Sequence, residues 1–434
     1  MSIGGKKTFV GFGFGPIQAG LFLYEAYVSG HFERFVVAEI DEDLVRALRA
    51  NRGGYTVNIA RKDRIDRFEL KGIEIYNPRQ EADRDALIGA VVGCDEMATA
   101  LPSVNVYAAG GETSVVSMIA QGLAKRSTSL PTVIYAAENH NHAAEILFDH
   151  IEKHPARKDL RQVQVLNTVI GKMSGVITDG GEIGRIGLKT VTAELPRAIL
   201  VEEFNRILIS RIHLPGYRRG SDVFIEKDNL LPFEEAKLYG HNAIHALIAY
   251  LADLKGLATI AQAGNEREIM TIARRAFIEE SGAALIKRHE KLGDPLFTAD
   301  GYRDYADDLL ERMICPNLND LVSRVARDHV RKLGYDDRLF GTMRRALQYG
   351  VQPVNLAVGA AAGVVSLIKR RGELRAPIAS LPERAGDLSR ETLRRLLFDI
   401  WGGEGKVDES AHRMVALTAD ALQVLHDKGL IRND

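Results

Sequence analysis

The sequence predicts an α/β protein in two parts: a doubly wound N-terminal domain and a largely α-helical C-terminal domain. Up to about residue 205, short β-rich segments alternate with amphipathic helical segments, as in a parallel sheet covered by helices. After Pro232, segments with a 3.6-residue hydrophobic period follow one another with almost no strand pattern between them. Because 434 residues exceed the size of one ordinary core, we predict domains at residues 1–205 and 206–434.

The elements of the first domain are predicted in order along the chain. Residues 7–12 form a strand, and residues 16–30 form a helix that opens with a proline, where a missing N–H costs nothing. Residues 34–40 form the second strand, and residues 41–51 form a helix with Asp41 as its capping residue. The later elements are strands at 93–101 and 132–137 and a helix at 113–125. The strand-like, glycine-rich stretch around 163–192 indicates a sheet extension or a domain junction.

The second domain is predicted to consist of helices. Its periodic segments are residues 234–254, 266–287, 302–313, 318–333 and 338–349. The polar stretch 372–387 contains two prolines and little periodicity, which predicts a surface excursion before the final helices.

The charge balance excludes some classes of partner. A formal net charge of −1 gives no electrostatic reason to expect nucleic acid or an anionic membrane. The N-terminal stretch lacks the apolar region of a signal peptide, and no run of about 18 apolar residues predicts a membrane span. With only two cysteines, the sequence predicts a cytoplasmic protein, and a monomer and a homodimer are both compatible with it.

A glycine-rich turn, residues 11–20, lies between the first strand and the first helix. Glycines there let the backbone approach a pyrophosphate, which the N–H groups at the helix start stabilise. Gln18 replaces the third glycine of G-x-G-x-x-G, and Gly20 is the nearest substitute. Glu39 ends the second strand, where a carboxylate binds the adenosine ribose of NAD and repels the extra phosphate of NADP. The sequence therefore predicts a Rossmann-type NAD site formed by Gly13, Gly15, Pro16, Ile17 and Glu39.

Three polar residues of the second domain share one side of a predicted helix. Around an α-helix, Lys237, Asn242 and His245 fall at about 0°, 140° and 80°. Oxidation of a secondary alcohol requires a base for the hydroxyl proton and donors for the developing oxyanion. A desolvated lysine can be that base, and the asparagine amide can be a donor. On spacing alone, a surface lysine and a structural core histidine remain an open alternative.

The segment 228–245 resembles the K-x-x-x-x-N-x-x-H motif of the polyol-specific long-chain dehydrogenases/reductases, the mannitol dehydrogenase family. The likeness runs from about residue 8 to residue 360 and leaves the last seventy or so residues unassigned. It is similar in particular to the bacterial mannitol-1-phosphate 5-dehydrogenases. The other matching elements are Ala137-Glu138-Asn139, Val201-Glu202-Glu203-Phe204, residues 279–288, 316–320 and 337–339, and Tyr349-Gly350 with Asn355-Leu356.

The resemblance implies an activity and roles for four residues. The activity is NAD-dependent interconversion of a polyol or polyol phosphate and its ketose, of the mannitol-1-phosphate/fructose-6-phosphate type. Lys237 would be the general base, and Asn139 and Asn242 would be the oxyanion donors. His245 would bind or orient the substrate. Hydride would pass directly between substrate and nicotinamide, with electrostatic stabilisation in place of a metal ion.

Substrate contacts are less well defined by the sequence. Asn229 and Arg338 lie in matching elements and are expected to bind substrate. Arg211 is a further candidate, because its guanidinium and three neighbouring basic residues fit a phosphate, although they also fit a solvated loop. The family's Asp-Arg near the domain junction reads Gly171-Lys172 here, and a family tryptophan is replaced by Ile207. These departures leave the identity of the polyol open.

No metal site is predicted, since the histidines between 140 and 154 include no H-E-x-x-H pair and no cysteine joins them. Three other functions remain open. A hexuronate reductase would need a cationic pocket for the carboxylate. A β-hydroxyacid dehydrogenase also pairs a lysine with an asparagine. A non-catalytic, NAD-responsive binding protein would explain the altered glycine turn but not the retention of Lys237, Asn242, His245 and Asn139.

Overall fold

The computed structural model describes residues 7–127, 129–204, 206–374 and 376–430. The chain divides into two compact units, Met1–Leu231 and Pro232–Asp434. The boundary follows Leu231 instead of residue 205, because two strands beyond residue 205 continue the sheet of the first unit. Residue 205 and the first six residues, where the absence of a signal peptide was predicted, lie outside the described residues.

The first unit contains a large sheet and a small one. Its described strands are β1 (Lys7–Phe12), β2 (Phe32–Ala38), β3 (Tyr55–Ala60), β4 (Ile65–Leu70), β5 (Ile73–Tyr76), β6 (Glu96–Thr99), β7 (Thr132–Ala136), β8 (Val163–Val169), β9 (Ser174–Ile177), β10 (Ala198–Glu202), β11 (Ile207–Ser210) and β12 (Phe224–Lys227). The eight-stranded sheet has the order β12-β11-β8-β7-β6-β1-β2-β5, and the four-stranded sheet has the order β4-β3-β10-β9.

Six neighbouring strands of the large sheet are parallel. Numbered along the chain within this sheet, their order β5-β2-β1-β6-β7-β8 is the 3-2-1-4-5-6 arrangement of dinucleotide-binding folds. β11 is antiparallel to β8, and β12 pairs with β11 at the edge. The predicted Rossmann-type domain is therefore confirmed. The predicted extension around 163–192 is in fact the sixth parallel strand, β8, followed by β9 of the small sheet.

Helices cover both faces of the large sheet. They are α1 (Leu23–Val28), which continues a π-helical turn at Gln18–Phe22, then α2 (Glu42–Ala50), α3 (Glu81–Gly93), α4 (Val115–Lys125) and α5 (Ala143–Lys153). A further helix, α6 (Gly180–Arg185), connects β9 to β10 of the small sheet. Alternate residues of β1 and β2 belong to different cores: Phe9 and Val37 to one, Val10 and Val36 to the other. This period of two shows that the strands are buried on both faces, as the doubly wound arrangement requires.

The second unit is helical, as predicted, and no strand occurs in its described part, residues 232–374 and 376–430. The helices are α7 (Leu231–Glu235), α8 (Ala243–Leu254), α9 (Ile260–Ala263), α10 (Arg267–Arg275), α11 (Ala283–His289), α12 (Ala299–Met313), α13 (Val322–Ala326), α14 (His329–Lys332), α15 (Arg338–Gln348), α16 (Val354–Lys369), α17 (Arg390–Trp401) and α18 (Ser410–Asp427). Two π-helical turns, Ala236–Asn242 and Ala276–Gly282, interrupt long helices of this unit.

The core of the second unit surrounds α8 and α16, and α16 is buried without a break from Leu356 to Ile368. The sequence left the role of the C-terminal helices open: α18 packs against this apolar helix, and α17 packs against α18. Trp401, at the end of α17, is buried and donates its indole N–H to the Leu333 carbonyl at 2.9 Å. Across the described ranges, no helix is long and apolar enough to cross a membrane.

Candidate functional site

The glycine turn follows β1 directly and forms one wall of a cavity. Gly13 has φ +85°, and a Cβ there would lie 2.8 Å from the Ala100 carbonyl oxygen, so only glycine fits without strain. Gly15 is different, because a Cβ at Gly15 would meet nothing within 4 Å. Its open side leaves room for a ligand to approach the backbone just before the helix that begins at Pro16.

The cavity has a volume of ≈ 740 Å³ and lies at the carboxyl ends of the parallel strands. β1 and β6 neighbour each other there, and the strand order reverses at this point, which is where open α/β sheets bind ligands. Its walls come from the turns after β1, β2, β5, β6 and β7 and from the start of α4. The cavity brings together all five residues predicted for the cofactor site: Gly13, Gly15, Pro16, Ile17 and Glu39.

Glu39 is held in place by backbone N–H groups. Its Oε2 accepts from Phe14 at 2.8 Å, and its Oε1 accepts from Ile40 at 2.7 Å and Asp41 at 2.9 Å. A carboxylate offers about four lone-pair positions, so it retains capacity for a ligand hydroxyl. The side chain therefore presents a fixed negative charge to the cavity.

Gln18, which replaces the third glycine of the motif, packs against a glycine of the first strand. Its side chain is fully buried against Gly11, where a Cβ would lie 2.3 Å from Gln18 Nε2. Gly20 instead approaches the small sheet, since a Cβ there would lie 2.5 Å from Val201 Cγ1. Neither polar atom of the Gln18 amide has a hydrogen-bond partner in the part of the chain that the structure describes.

Asn139 lies in the turn after β7, and the preceding residue anchors that turn. Glu138 is buried and accepts from Thr99 Oγ1 and Leu101 N, both at 2.9 Å, and also from the Tyr107 hydroxyl. Burial raises the pKa of Glu138, and these hydrogen bonds oppose the rise. Glu138 thus ties the turn of Asn139 to the turn after β6 that lines the cavity, a role that sequence reasoning missed.

Lys237 lies in the π-helical turn Ala236–Asn242 of the second unit. Burial lowers its pKa to about 8; the carboxylate of Glu234 opposes this change and the guanidinium of Arg338 adds to it. A lysine with such a pKa exchanges a proton near neutral pH, which an ordinary surface lysine does not.

The π-helical turn changes the geometry that the sequence predicted. We expected an α-helix, with Asn242 about 140° from Lys237 around the axis. Bonds from i to i+5 put more residues into each turn, so residues five apart come to nearly the same side. The expectation of α-helical spacing was wrong, and the correction brings Asn242 nearer to the side of Lys237. Turns of this kind are frequent at functional sites.

His245 follows one turn later, in α8, and is paired with an acid. Its Nε2 lies 3.0 Å from Asp320 Oδ2, and Asp320 Oδ1 accepts from Arg324 Nε and Nη2 at 3.0 and 2.6 Å. Burial acts to raise the pKa of Asp320, but His245 and Arg324 outweigh it and hold that pKa below its usual value. The Asp320 carboxylate therefore lies against the His245 ring, although His245 Nε2 and Asp320 Oδ2 do not meet hydrogen-bond geometry in the described part of the chain. The sequence included Asp320 only as part of a family-like element.

The three predicted substrate contacts occupy different places. Arg338, in the second unit, begins α15, and its Nε donates to Asp337 at 2.7 Å. Arg211 does not line the cavity: it follows β11, and its guanidinium binds Asp228. The side-chain oxygen of Asn229 accepts from Leu231 N at 3.0 Å, at the start of α7. The observed contacts of Arg211 and Asn229 are thus structural, while Arg338 acts electrostatically on Lys237.

A group of three or more His, Cys, Asp or Glu side chains suited to a metal ion is not found among the residues that the structure describes. His140 and His142 lie before α5, with ring centroids 6.1 Å apart, while His150 is in the last turn of that helix and His154 follows it.

Comparison with known proteins agrees with this arrangement. Residues 229–369 match the family model of the mannitol dehydrogenase C-terminal domain. The mannitol-1-phosphate 5-dehydrogenase of Shouchella clausii (strain KSM-K16) is 30% identical over 353 residues, which are 80% of this chain and 85% of the relative.

Two solved structures share the fold. One is the Pseudomonas fluorescens mannitol 2-dehydrogenase in a ternary complex with NAD and D-mannitol, with a TM-score of 0.69 at 16% identity over 98% of this chain and 93% of that one. The other is a D-sorbitol dehydrogenase in substrate-free form, with a TM-score of 0.74 at 14% identity over 98% and 94% of the two chains. The resemblance read from the sequence is confirmed, and the chain belongs to the mannitol dehydrogenase family.

Proposed function

We propose that this chain is an NAD-dependent oxidoreductase that interconverts a polyol or polyol phosphate and its ketose, with Lys237 as the general base. The observation that carries the proposal is Lys237, whose pKa of about 8 suits proton exchange with an alcohol. It lies in the segment that matches the mannitol dehydrogenase C-terminal model. The relatives named mannitol-1-phosphate 5-dehydrogenase support the polyol class of substrate.

The cavity of the first unit fits a dinucleotide. The open side of Gly15 leaves space for a pyrophosphate at the helix start, and Glu39 presents a fixed carboxylate to a ribose. Bound NAD would supply the hydride acceptor for alcohol oxidation and, in reduced form, the donor for ketose reduction.

Residues of this chain would transfer the hydroxyl proton of the substrate and stabilise the negative charge that develops on its oxygen. Neutral Lys237 takes the hydroxyl proton of the alcohol, and the amide of Asn242 donates to the developing oxyanion. For Asn139, the family resemblance implies the role of a second oxyanion donor. His245, which lies against the Asp320 carboxylate, holds a neighbouring hydroxyl. In the reverse direction, the Lys237 ammonium returns the proton to the carbonyl oxygen.

The first test is an assay of NADH and NADPH consumption with fructose, fructose 6-phosphate, other ketoses and hexuronates, each with and without a chelator. The proposal expects turnover of a ketose or its phosphate with NADH, unchanged by the chelator. Turnover of a hexuronate alone would favour reduction of sugar acids. NADH binding without turnover of any substrate would favour a binding protein and contradict the proposal.

The pH dependence should follow the protonation of Lys237. Because alcohol oxidation needs the neutral amine, its kcat should rise with pH and level off above about 8. Because ketose reduction needs the ammonium, its kcat should fall over the same range. Initial rates at saturating substrate between pH 6 and 10 in both directions measure this, and the two profiles should mirror each other. Flat profiles in both directions would argue against Lys237 as the base.

Glu39→Gln should weaken binding of NAD and reduce its advantage over NADP. The change removes the negative charge that repels a 2′-phosphate, and a charged hydrogen bond of this kind contributes about 1.5–3 kcal/mol, so we expect KM for NAD to rise about tenfold or more. The matched control is Glu42→Gln, an exposed carboxylate in the next helix. Equal KM ratios for NAD and NADP in the Glu39→Gln variant and the parent would contradict the assigned role.

A further inference from the structure

The π-helical turn that carries Lys237 packs against a second π-helical turn, Ala276–Gly282, and a tyrosine lies between the two. A Cβ at Gly240 would lie 2.9 Å from the Tyr302 hydroxyl, and a Cβ at Gly282 would lie 2.7 Å from Tyr302 Cδ1. One glycine comes from each turn. The Tyr302 side chain, 1% exposed, therefore fills a space that only glycines leave open.

A chain of hydroxyl groups connects the two turns. The Ser281 hydroxyl, fully buried, donates to the Tyr239 carbonyl oxygen at 2.9 Å, and the Tyr302 hydroxyl lies 3.1 Å from Ser281 Oγ. Since Ser281 gives its one proton to Tyr239, Tyr302 must be the donor in the second bond. Tyr302 thus donates a hydrogen bond to Ser281, and Ser281 donates one to the backbone of the π-helical turn that contains Lys237.

The Thr342 hydroxyl lies 3.1 Å from the same Tyr239 oxygen, but it also contacts the Arg338 carbonyl one turn earlier in its own helix. The hydroxyl has one proton for two acceptors, so a hydrogen bond to the Tyr239 oxygen requires loss of the one to the Arg338 oxygen. Ser281 donates to the Tyr239 carbonyl at the shorter distance, and its proton is not shared with a second backbone carbonyl as that of Thr342 is.

A change from i→i+4 to i→i+5 bonding interrupts the regular series of backbone hydrogen bonds in a helix. Side-chain donors that bind the backbone carbonyls at that point stabilise the irregular turn. A buried carbonyl that loses its donor is costly, and the turn then relaxes toward regular α-helix. Such relaxation would rotate Asn242 away from the side of Lys237.

We infer that Ser281, supported by Tyr302, is a positioning residue that holds Lys237 and Asn242 in their relative orientation through the Tyr239 carbonyl. This inference rests on the proposed function, in which those two side chains act on one substrate oxygen. Ser281 itself touches neither reacting group. It acts on the backbone between them.

The test compares Ser281→Ala with Tyr302→Phe and with a matched control, Ser366→Ala. Ser366 is also fully buried in the second unit, but it binds Asp253 and His329, away from the π-helical turns. Ser281→Ala should lower kcat about tenfold or more, because a small displacement of catalytic groups is costly, while KM for NADH stays unchanged. Tyr302→Phe, which keeps the ring and removes only the supporting hydroxyl, should have a smaller effect in the same direction. Ser366→Ala should lose stability without loss of kcat.

Hydrogen–deuterium exchange of the peptide covering residues 236–245 gives a second measurement that needs no turnover. Exchange there should accelerate in Ser281→Ala and not in Ser366→Ala, because only the first change releases the turn. Unchanged exchange in Ser281→Ala, or a kcat equal to that of the parent, would overturn the inference. Absence of turnover in the parent would instead contradict the proposed function, and exchange would then decide the inference alone. If Ser281→Ala does not fold, Tyr302→Phe carries both measurements.

Discussion

Replacing Lys237 with methionine is expected to lower kcat about 1,000-fold, since general acid–base catalysis by a positioned group contributes about 10²–10⁴-fold. Methionine keeps most of the side-chain volume and removes only the charged end, so the variant should fold. Its cavity for NADH is built entirely from the first unit and should bind as before. Single-turnover and steady-state rates, with NADH fluorescence for binding, measure both properties.

The control for this variant is Lys291→Met, which removes an exposed lysine from the same unit. It should leave kcat unchanged within the error of the assay. A Lys237→Met enzyme with more than a tenth of the parent kcat would rule out Lys237 as the base. Loss of NADH binding together with turnover would mean that the change acts on folding, and the kinetic result would then not count for the mechanism.

Glu280→Ala should produce the largest loss of stability. The Glu280 carboxylate is 2% exposed, and it accepts from Asn355 N and Nδ2 at 2.7 Å and from Leu356 N at 2.8 Å, at the start of α16. Burial raises the pKa of Glu280, and these donors oppose the rise. Truncation leaves the donors unpaired inside the protein, which should lower the free energy of unfolding by about 3 kcal/mol.

Urea denaturation followed by tryptophan fluorescence measures this loss. Trp401 is the one tryptophan of the 434-residue sequence and is buried in the second unit, so its emission reports on the unit that contains Glu280. The neighbouring acid provides the matched control: Glu279 is exposed, and Glu279→Ala should change stability by no more than about 0.5 kcal/mol. Equal midpoints for the two variants would contradict the proposed role of Glu280 in capping α16.

The sequence predicted the two-part architecture because hydrophobic periodicity differs between strands and helices. It missed β3, β4 and β5. In β4, Ile-Asp-Arg-Phe-Glu-Leu, only Leu70 is buried and the alternation is irregular. β3 is fully buried, but it pairs with β10, a strand distant in sequence. The domain boundary was placed too early because the short strands β11 and β12 lie in a loop-like stretch. Pairing with β8, a strand distant in sequence, decides where that stretch belongs.

The sequence predicted which residues line the cofactor cavity, but it predicted their spatial arrangement in the second unit less well. Local spacing identified Gly13, Gly15 and Glu39, which do line one cavity. Spacing could not show the π-helical turn under Lys237, because no residue type marks such a turn without knowledge of its neighbours. The contact of His245 with Asp320 also depends on a loop that is distant along the chain.

The contact between Gln18 and Gly11 has a consequence for how dinucleotide-binding sequences are recognised. The close approach of helix and strand needs one small residue, and here the strand provides it instead of the helix. The contact therefore constrains the combined volume of the strand residue and the helix residue that face each other, and not the residue type at either position alone. A search that scores each position independently therefore undervalues chains like this one, whereas a search that scores the strand residue and the helix residue jointly would recover them.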